Sequence, residues 1–307
     1  MAQVSVVIPT FNRAELLPAA IRSVLNQTFQ DFEVLIVDDG SSDTTPDAVK
    51  SFDDNRIHYV RHAVPRGGAA ARNTGIAHSR GEYVAFLDDD DEWFPHKLAS
   101  QMAVMRRSEP EVAAIYSGYF IVERATGRVC SRMTPKVRGD LSAELLANNP
   151  IGGTSCMLVK KDCLEKVGCF DESLPSFQDR DLWIRLSREF RFDYVAEPLL
   201  NYYVHPKKVW TNFDALLQGL EIMLAKYGTA VAFRKASSSR YLFCGIKLCE
   251  TNEFDKGRRA LRRAVALNPY AVKPYLYLLL ALLGPRTMAT VRSKKLHLFD
   301  RPGLTNS

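Results

Sequence analysis

Four aspartates in a row, Asp88 to Asp91, follow the apolar run Tyr83-Val84-Ala85-Phe86-Leu87 and precede Glu92-Trp93. A run of that length and composition reads as a buried strand. The acids therefore fall at its carboxyl end, where open α/β sheets place their ligands. Four adjacent like charges repel. Solvation in a turn would relieve them, but at the mouth of a buried strand a bridging divalent cation is the better fit. Oxygen donors with no His or Cys nearby in sequence suit a hard ion, Mn²⁺ or Mg²⁺. Asp88 and Asp90, two apart, share a face if the strand stays extended. Asp89 and Asp91 then remain for ribose contact, structural hydrogen bonds or solvent.

Three further groups could work beside such an ion. Asp38-Asp39 end a second apolar run, Phe32 to Val37. Asp39 there could accept from a nucleobase imide or a ribose hydroxyl, or simply form a turn ahead of a helix. Arg66-Gly67-Gly68 leads into Ala69-Ala70-Ala71-Arg72-Asn73. Glycine admits a ligand close to the backbone, a helix amino terminus attracts anions, and Arg72 adds a cation suited to a diphosphate. The run lacks the Gly-Lys-Ser/Thr ending of a Walker phosphate loop. Gln178-Asp179-Arg180-Asp181 precedes Leu182, Trp183 and Leu186, which share one helix face. Asp179 could take a proton from an attacking hydroxyl, the bland alternative being a helix cap. Arg180 beside it is expected to hold its pKa low. His205, after Tyr202-Tyr203-Val204, could complete a metal shell, touch a diphosphate, or be structural.

These groups need a scaffold that brings them together. Val4 to Ile8, Phe32 to Val37, Ile57 to Val60 and Tyr83 to Leu87 read as strands, with helical spacing between them. Asn12 with Glu15 resembles a capping box for the first helix, which Pro18 delays. Alternating strands and helices predict a parallel, doubly wound sheet. Beyond residue 100 the pattern loosens: a helix near His96 to Arg107, a β-prone stretch from Val112 to Val122, a hairpin turn at Thr126-Gly127, and a strand at Ser155 to Val159 after Gly152-Gly153-Thr154. From about Trp210 onward the chain reads as wholly helical. One helix ends at Asn268-Pro269. The next, Tyr275 to Leu283, is apolar on nearly every face and far short of the roughly 20 residues that cross a bilayer. It is either a core or an interfacial helix, and the pair resembles one tetratricopeptide-like unit. The expected organisation is residues 1–100 and 101–209 as two halves of one α/β domain, then a helical extension over 210–307.

The 307 residues carry a net charge of +6 unevenly. Residues 1–233 hold 26 basic and 31 acidic side chains, whereas residues 234–307 hold 15 and 4. A basic tail on an acidic body predicts contact with something anionic. Without interleaved exposed aromatics of the single-strand type, an anionic membrane face is expected rather than nucleic acid. Six cysteines without a Cys-x-x-Cys pair indicate neither a zinc knuckle nor a disulfide scaffold. With Val4 to Ile8 already a strand, no secretory leader is expected. A cytoplasmic protein, peripheral on the inner face of the membrane, fits.

Taken in order, these segments resemble the family 2 glycosyltransferases. Val4-Ser5-Val6-Val7-Ile8-Pro9-Thr10-Phe11-Asn12-Arg13 looks like that family's first strand and loop, and Asp38 to Asp43 is similar to its base-binding turn. Gly67 to Gly75 resembles its donor helix and Phe86 to Asp91 its Asp-x-Asp metal motif. Gly168 to Glu172 and Gln178 to Trp183 resemble its acceptor-side segment and base motif. The likeness runs from about residue 3 to 205. It implies a GT-A fold, Rossmann-like and mostly parallel, with an all-helical carboxyl-terminal extension. It also implies inverting transfer from a nucleotide-sugar donor, most often a UDP-sugar, to a glycan or lipid-linked acceptor in polysaccharide, cell-wall or glycolipid synthesis. The implied donor contacts are Pro9, Thr10, Asn12, Asp39, Gly68, Arg72, Asp88 and Asp89. The implied metal ligands are Asp90 and Asp88 with His205, and the general base is Asp179. Gly153, Thr154, Gln178 and Trp183 fall on the acceptor side. The family often has Glu-Asp at the base motif, so Gln178 is a departure that touches the acceptor environment. A sugar-phosphate nucleotidyltransferase would use a similar sheet, but needs a glycine-rich first loop that Pro9 to Arg13 lacks. A non-catalytic nucleotide-binding scaffold would not need the intact acid cluster.

Overall fold

The computed structural model describes residues 2–204 and 212–284. His205 lies outside the described residues. The chain divides into two compact units, Met1–Thr211 and Asn212–Ser307.

The first unit is built on a nine-stranded sheet. Its first four strands are β1 (Val4–Thr10), β2 (Phe32–Asp38), β3 (Ile57–Arg61) and β4 (Tyr83–Phe86). They lie in the order β3-β2-β1-β4, all parallel, with Val4 level with both Phe32 and Tyr83. β1, β2 and β4 are buried along their whole length, which is why their sequences read as unbroken apolar runs rather than alternating ones. Helices α1 (Leu17–Leu25), α2 (Thr45–Lys50) and α3 (Gly68–His78) connect them. Gly75 of α3 sits so close to β1 that a Cβ there would meet Val7 at 2.3 Å, so the helix lies tightly against the strand.

The second half of the sheet is mixed. The remaining strands are β5 (Glu92–Trp93), β6 (Val112–Glu123), β7 (Val129–Met133), β8 (Met157–Lys160) and β9 (Arg191–Val204). The order continues β4-β8-β6-β9-β5, with β7 on β6. β8 runs antiparallel to both β4 and β6, and β5 antiparallel to β9. β6 and β9 pair in parallel, so the expected parallel arrangement holds for the amino-terminal strands and for this pair, and β5, β7 and β8 supply the antiparallel pairings. Helices α4 (Lys97–Arg107), α5 (Ser142–Ala147), α6 (Lys161–Lys166) and α7 (Gln178–Ser187) complete this unit.

The capping box at Asn12 and Glu15 does not form. α1 starts at Leu17 with Leu16 as its cap and no side-chain cap bond. Asn12 instead has φ +52°, and its Oδ1 accepts from the backbone of Ser42 at 2.8 Å and of Asp43 at 3.3 Å. Its own N–H donates to Ser41 Oγ at 2.8 Å. Asn12 thus ties the loop after β1 to the loop after β2, because asparagine tolerates the left-handed region and bonds locally.

The second unit holds α8 (Phe213–Tyr227), α9 (Val231–Glu250), α10 (Phe254–Leu267) and α11 (Val272–Leu283). α9 and α10 pack closely at glycines: a Cβ on Gly257 would meet Cys249 Sγ at 2.4 Å, and one on Gly245 would meet Leu261 at 2.8 Å. α10 therefore pairs with α9 as well as with α11. The latter rests on the cluster of Cys249, Leu261 and Ala281. No helix among the described residues is long and apolar enough to cross a membrane.

Candidate active site

The acid turn hangs from the centre of the sheet. β4 stops at Phe86, Leu87 N–H still donates to Val7 O at 3.0 Å, and Asp91 N–H then closes onto Asp88 O at 3.0 Å. Asp88 to Asp91 are therefore a tight turn, not the extended continuation the sequence suggested. The turn recruits a third residue: carboxylate oxygens of Asp88, Asp90 and Asp91 lie within 4.8 Å of one another. Three hard oxygen donors at that spacing fit Mg²⁺ or Mn²⁺.

Cations and hydroxyls from distant segments hold the turn. Arg13 Nη1 contacts Asp90 Oδ2 at 2.8 Å and Asp89 Oδ1 at 3.4 Å. Arg72 Nη2 donates to Asp88 Oδ1 at 2.6 Å, and Thr154 Oγ1 reaches the same oxygen at 2.9 Å. Ser155 Oγ donates to Asp91 Oδ2 at 2.8 Å, Tyr203 N–H to Asp91 Oδ1 at 3.2 Å, and Arg124 Nη2 to Asp90 O at 2.8 Å. Burial pushes Asp89 up to about 7 against the opposing pull of Arg13. Among these partners Arg13, Arg124 and Ser155 were not singled out from the sequence. Charge balance is the signal that could have found Arg13: four adjacent carboxylates call for cations, and Arg13 follows the first strand.

Asp38 and Asp39 divide their work. Asp38 is fully buried and accepts from Ser41 N–H at 2.8 Å and Tyr59 OH at 2.5 Å, a structural role. Asp39 Oδ1 takes Arg66 N–H at 2.8 Å and lies 2.7 Å from His62 Nδ1, while Oδ2 takes Gly67 N–H at 2.7 Å. It fixes the backbone that launches α3. With two partners on Oδ1 and one on Oδ2, Oδ2 retains a lone pair for a further donor. Pro9 and Thr10 end β1 opposite Val37 and Asp38.

Arg72 joins α3 to the start of α7. Besides Asp88 it lies 3.5 Å from Gln178 Oε1 through Nη1 and donates to Gly68 O at 3.2 Å. A Cβ on Gly68 would stand 3.1 Å from that nitrogen. Gln178 also donates to Leu174 O at 2.8 Å. Asp179, half-buried in the first turn of α7, accepts Arg180 N–H at 2.8 Å. Burial raises its pKa, and the Arg180 N–H and the charge of Arg72 only partly offset that. The expectation that Arg180 would hold it low fails. The Arg180 guanidinium turns away to Leu145 O and Leu146 O, at 3.0 and 3.2 Å. Phe177, just ahead, has φ +63°. A bulky residue in that region stores strain, which clusters at functional sites.

The acceptor-side residues separate. Thr154 joins the acid turn, and Gly153 sits near the Tyr202 ring, 3.7 Å from where a Cβ would stand. Asp91, Asp88, Asp90 and Asp179 all bear on the Tyr202 hydroxyl, whose pKa burial raises first. Trp183 is fully buried, its ring 6.4 Å from that of Phe170. It backs α7 from the core and offers no surface to an acceptor. The structure thus brings Asp88 to Asp91, Arg72, Thr154, Gln178 and Asp179 to one end of the sheet.

The chain is similar to proteins that are already known. WfgD of Escherichia coli is named a UDP-Glc:α-D-GlcNAc-diphosphoundecaprenol β-1,3-glucosyltransferase. It is 38% identical over 119 residues, 39% of this chain and 46% of that one. The Staphylococcus aureus protein TarS (1-349), solved with UDP-GlcNAc, superposes with a TM-score of 0.65 at 18% identity, over 96% of this chain and 92% of that one. The mannosyltransferase PcManGT of Pyrobaculum calidifontis, solved with GDP-Man and Mn²⁺, gives 0.58 at 20% identity, over 97% and 88%. The fold is GT-A, as the resemblance implied. The model of glycosyl transferase family 2 matches residues 5–168, more than half of the chain, and the protein belongs to that family of glycosyltransferases.

Proposed function

We propose that this glycosyltransferase works by inversion, with a divalent cation at the acid turn. The donor is a nucleotide-sugar, with UDP-sugars favoured, and the acceptor is a hydroxyl of a glycan or lipid-linked saccharide. The setting is polysaccharide, cell-wall or glycolipid assembly at the cytoplasmic face of the membrane, with peripheral attachment through residues 234–307. Two similar proteins support the donor class, one named for UDP-Glc and one solved with UDP-GlcNAc. The E. coli relative, whose acceptor carries a polyprenyl diphosphate by name, supports the setting.

The observation that carries the reading is the approach of Asp179 to the cluster of Asp88, Asp90 and Asp91, linked through Arg72. Asp88 and Asp90, with Asp91 in reach, would hold Mn²⁺ or Mg²⁺, which as a Lewis acid neutralises charge on a departing diphosphate. In this reading Asp39 and Thr10 would receive the nucleobase and ribose, and Arg72 would follow the diphosphate. Asp179 takes the proton of the acceptor hydroxyl as that oxygen bonds to the anomeric carbon. The bond from that carbon to the donor phosphate oxygen breaks on the opposite face, and its electron pair leaves with the nucleoside diphosphate. Asp179 works deprotonated, and burial raises its pKa. Transfer should therefore fall on acidification along a limb displaced above the ordinary carboxylate range.

Asp179→Asn tests the base. Transfer, read as nucleoside diphosphate release that depends on acceptor, should drop by about 10²–10⁴, with donor affinity by calorimetry unchanged. Near-wild-type transfer in the purified variant would remove Asp179 from the mechanism.

A further inference from the structure

α11 uses its two faces differently. Pro274 and Ala281 are buried, and Tyr277 and Leu278 pack on the cluster beneath. The other face carries Val272, Tyr275, Leu276, Leu279, Leu282 and Leu283, all exposed. Their spacing of three, four and seven residues makes one continuous stripe along the helix. Tyr270, 93% exposed, stands just ahead of it. Single exposed leucines need no explanation, but a contiguous apolar face marks a docking surface.

We propose that this face lies flat in the headgroup region of an anionic membrane. Charge chooses the occupant. Residues 234–284 hold ten basic and three acidic side chains, and Arg259 and Arg262 on α10 are exposed. A second copy seated on the stripe would bring this basic unit against itself. The 23 residues after Gly284 hold five basic side chains against one acidic, which adds to the attraction for anionic lipid. The helix has 12 residues, a length of about 18 Å: too short to span a bilayer, yet long enough to rest in its surface. Tyr270 and Tyr275 supply rings of the kind that settle at the headgroup level. Basic charge with an apolar face is the pattern of helices that bind in the interface.

This inference deepens the peripheral location proposed above and rests on none of the donor chemistry. Flotation reads attachment, and diphosphate release in solution reads transfer. The full chain, floated with phosphatidylcholine vesicles with and without phosphatidylglycerol, should rise only with the anionic ones. Leu279→Glu combined with Leu282→Glu should weaken that binding by at least about tenfold. Arg259→Glu with Arg262→Glu should remove most of the preference for phosphatidylglycerol and its sensitivity to salt. Both double variants alter exposed positions, so unchanged circular dichroism and unchanged transfer to a soluble acceptor would show that the fold is kept. Three outcomes overturn the proposal. The first is no flotation with anionic vesicles, and the second is equal flotation of wild type and the leucine variant. The third is a concentration-dependent dimer, seen by sedimentation, that the leucine variant abolishes without any vesicle binding.

Discussion

The strand-end cleft of the first unit and the surface of α11 in the second depart from ordinary burial in opposite directions. In the cleft, polar groups are inside: Asp89, Asp90 and Asp91 are all less than a tenth exposed, Arg13 and Ser155 meet them, and Arg72 and Thr154 meet Asp88 beside them. On α11, apolar groups are outside, and no described residue covers them. A buried carboxylate is costly unless paired, and the pairing here with Arg13 and Arg72 leaves a cluster suited to the cation proposed above. An apolar stripe in water is unfavourable unless covered, so its persistence implies an apolar or amphiphilic partner. Each departure points to a class of ligand.

If the comparison is right, the two regions respond oppositely to a change of charge. The Leu279→Glu and Leu282→Glu substitutions on α11 should move stability by no more than about 0.5 kcal/mol each. Asp90→Ala in the cleft should act through the ion. It removes one of three oxygens and leaves Arg13 without its closest partner. Mn²⁺ affinity, titrated without donor, should fall by at least about a hundredfold, since even residues one shell further out commonly affect affinity by 10–100-fold. An unchanged Mn²⁺ titration would move the cation elsewhere and dissolve the contrast.

How far these regions were legible in the sequence follows from the range of the forces involved. β1, β2 and β4 are buried along their whole length, so the apolar runs Val4 to Ile8 and Phe32 to Val37 announced themselves. β9, from Arg191 to Val204, did not. It contains Pro198, carries polar residues, and shifts register three times against β6, so neither alternation nor an apolar run appears. The short helices α5 and α6 offer too few turns for a periodic signal. At the site, the adjacency of four aspartates was visible, but their conformation was not. The turn is set by Ser155, Thr154 and Arg13, up to 77 residues away in sequence, and no local spacing encodes that. The same holds for Asn12, whose partners lie 29 to 31 residues on. A local capping rule could not anticipate them. The α11 stripe was read as ambiguous because an all-apolar sequence does not say which face meets the core.

Lys97 sharpens the comparison from within the first unit. It is wholly buried, its Nζ donates to Gln101 Oε1, and it sits 4.2 Å from the Trp93 ring centroid. Burial lowers its pKa to about 7, with Cys156 opposing. Unlike the aspartates it has no described ion-pair partner, so it should behave as a liability of packing rather than as part of a ligand site. The folded state then binds fewer protons than the unfolded state between about pH 7 and the ordinary lysine range. Stability should climb with pH across that window, and the penalty should be complete below it. Lys97→Met keeps the volume, while Gln101 Nε2 keeps its bonds to Ile115 O and Cys156 O. In denaturant titrations at about pH 6 and about pH 10, the variant should lose this slope and gain up to a few kcal/mol at the lower pH. A variant less stable at both would make Lys97 a structural necessity.

The smallest effect, and the finest test of the cleft, concerns Arg13. Its guanidinium contacts Asp90 Oδ2 at 2.8 Å, on one of the carboxylates proposed to hold the cation, and Asp89 at 3.4 Å. It supplies the counter-charge that carboxylates this buried require, the part the proposed ion would otherwise take. Arg13 and the cation therefore compete for one acid turn. Arg13→Met should lower the melting temperature of the metal-free protein and narrow that gap as Mn²⁺ is added. Mn²⁺ affinity, measured without donor, should rise by about three- to tenfold, equivalent to less than about 1.4 kcal/mol. Arg13→Lys, which keeps the charge but not the fork, should fall between. A brace that merely orients Asp90 makes the reverse forecast: removing it loosens the turn, and Mn²⁺ binds more weakly. The sign of the change separates competition from support, and competition is the outcome expected if the acid turn holds the proposed cation.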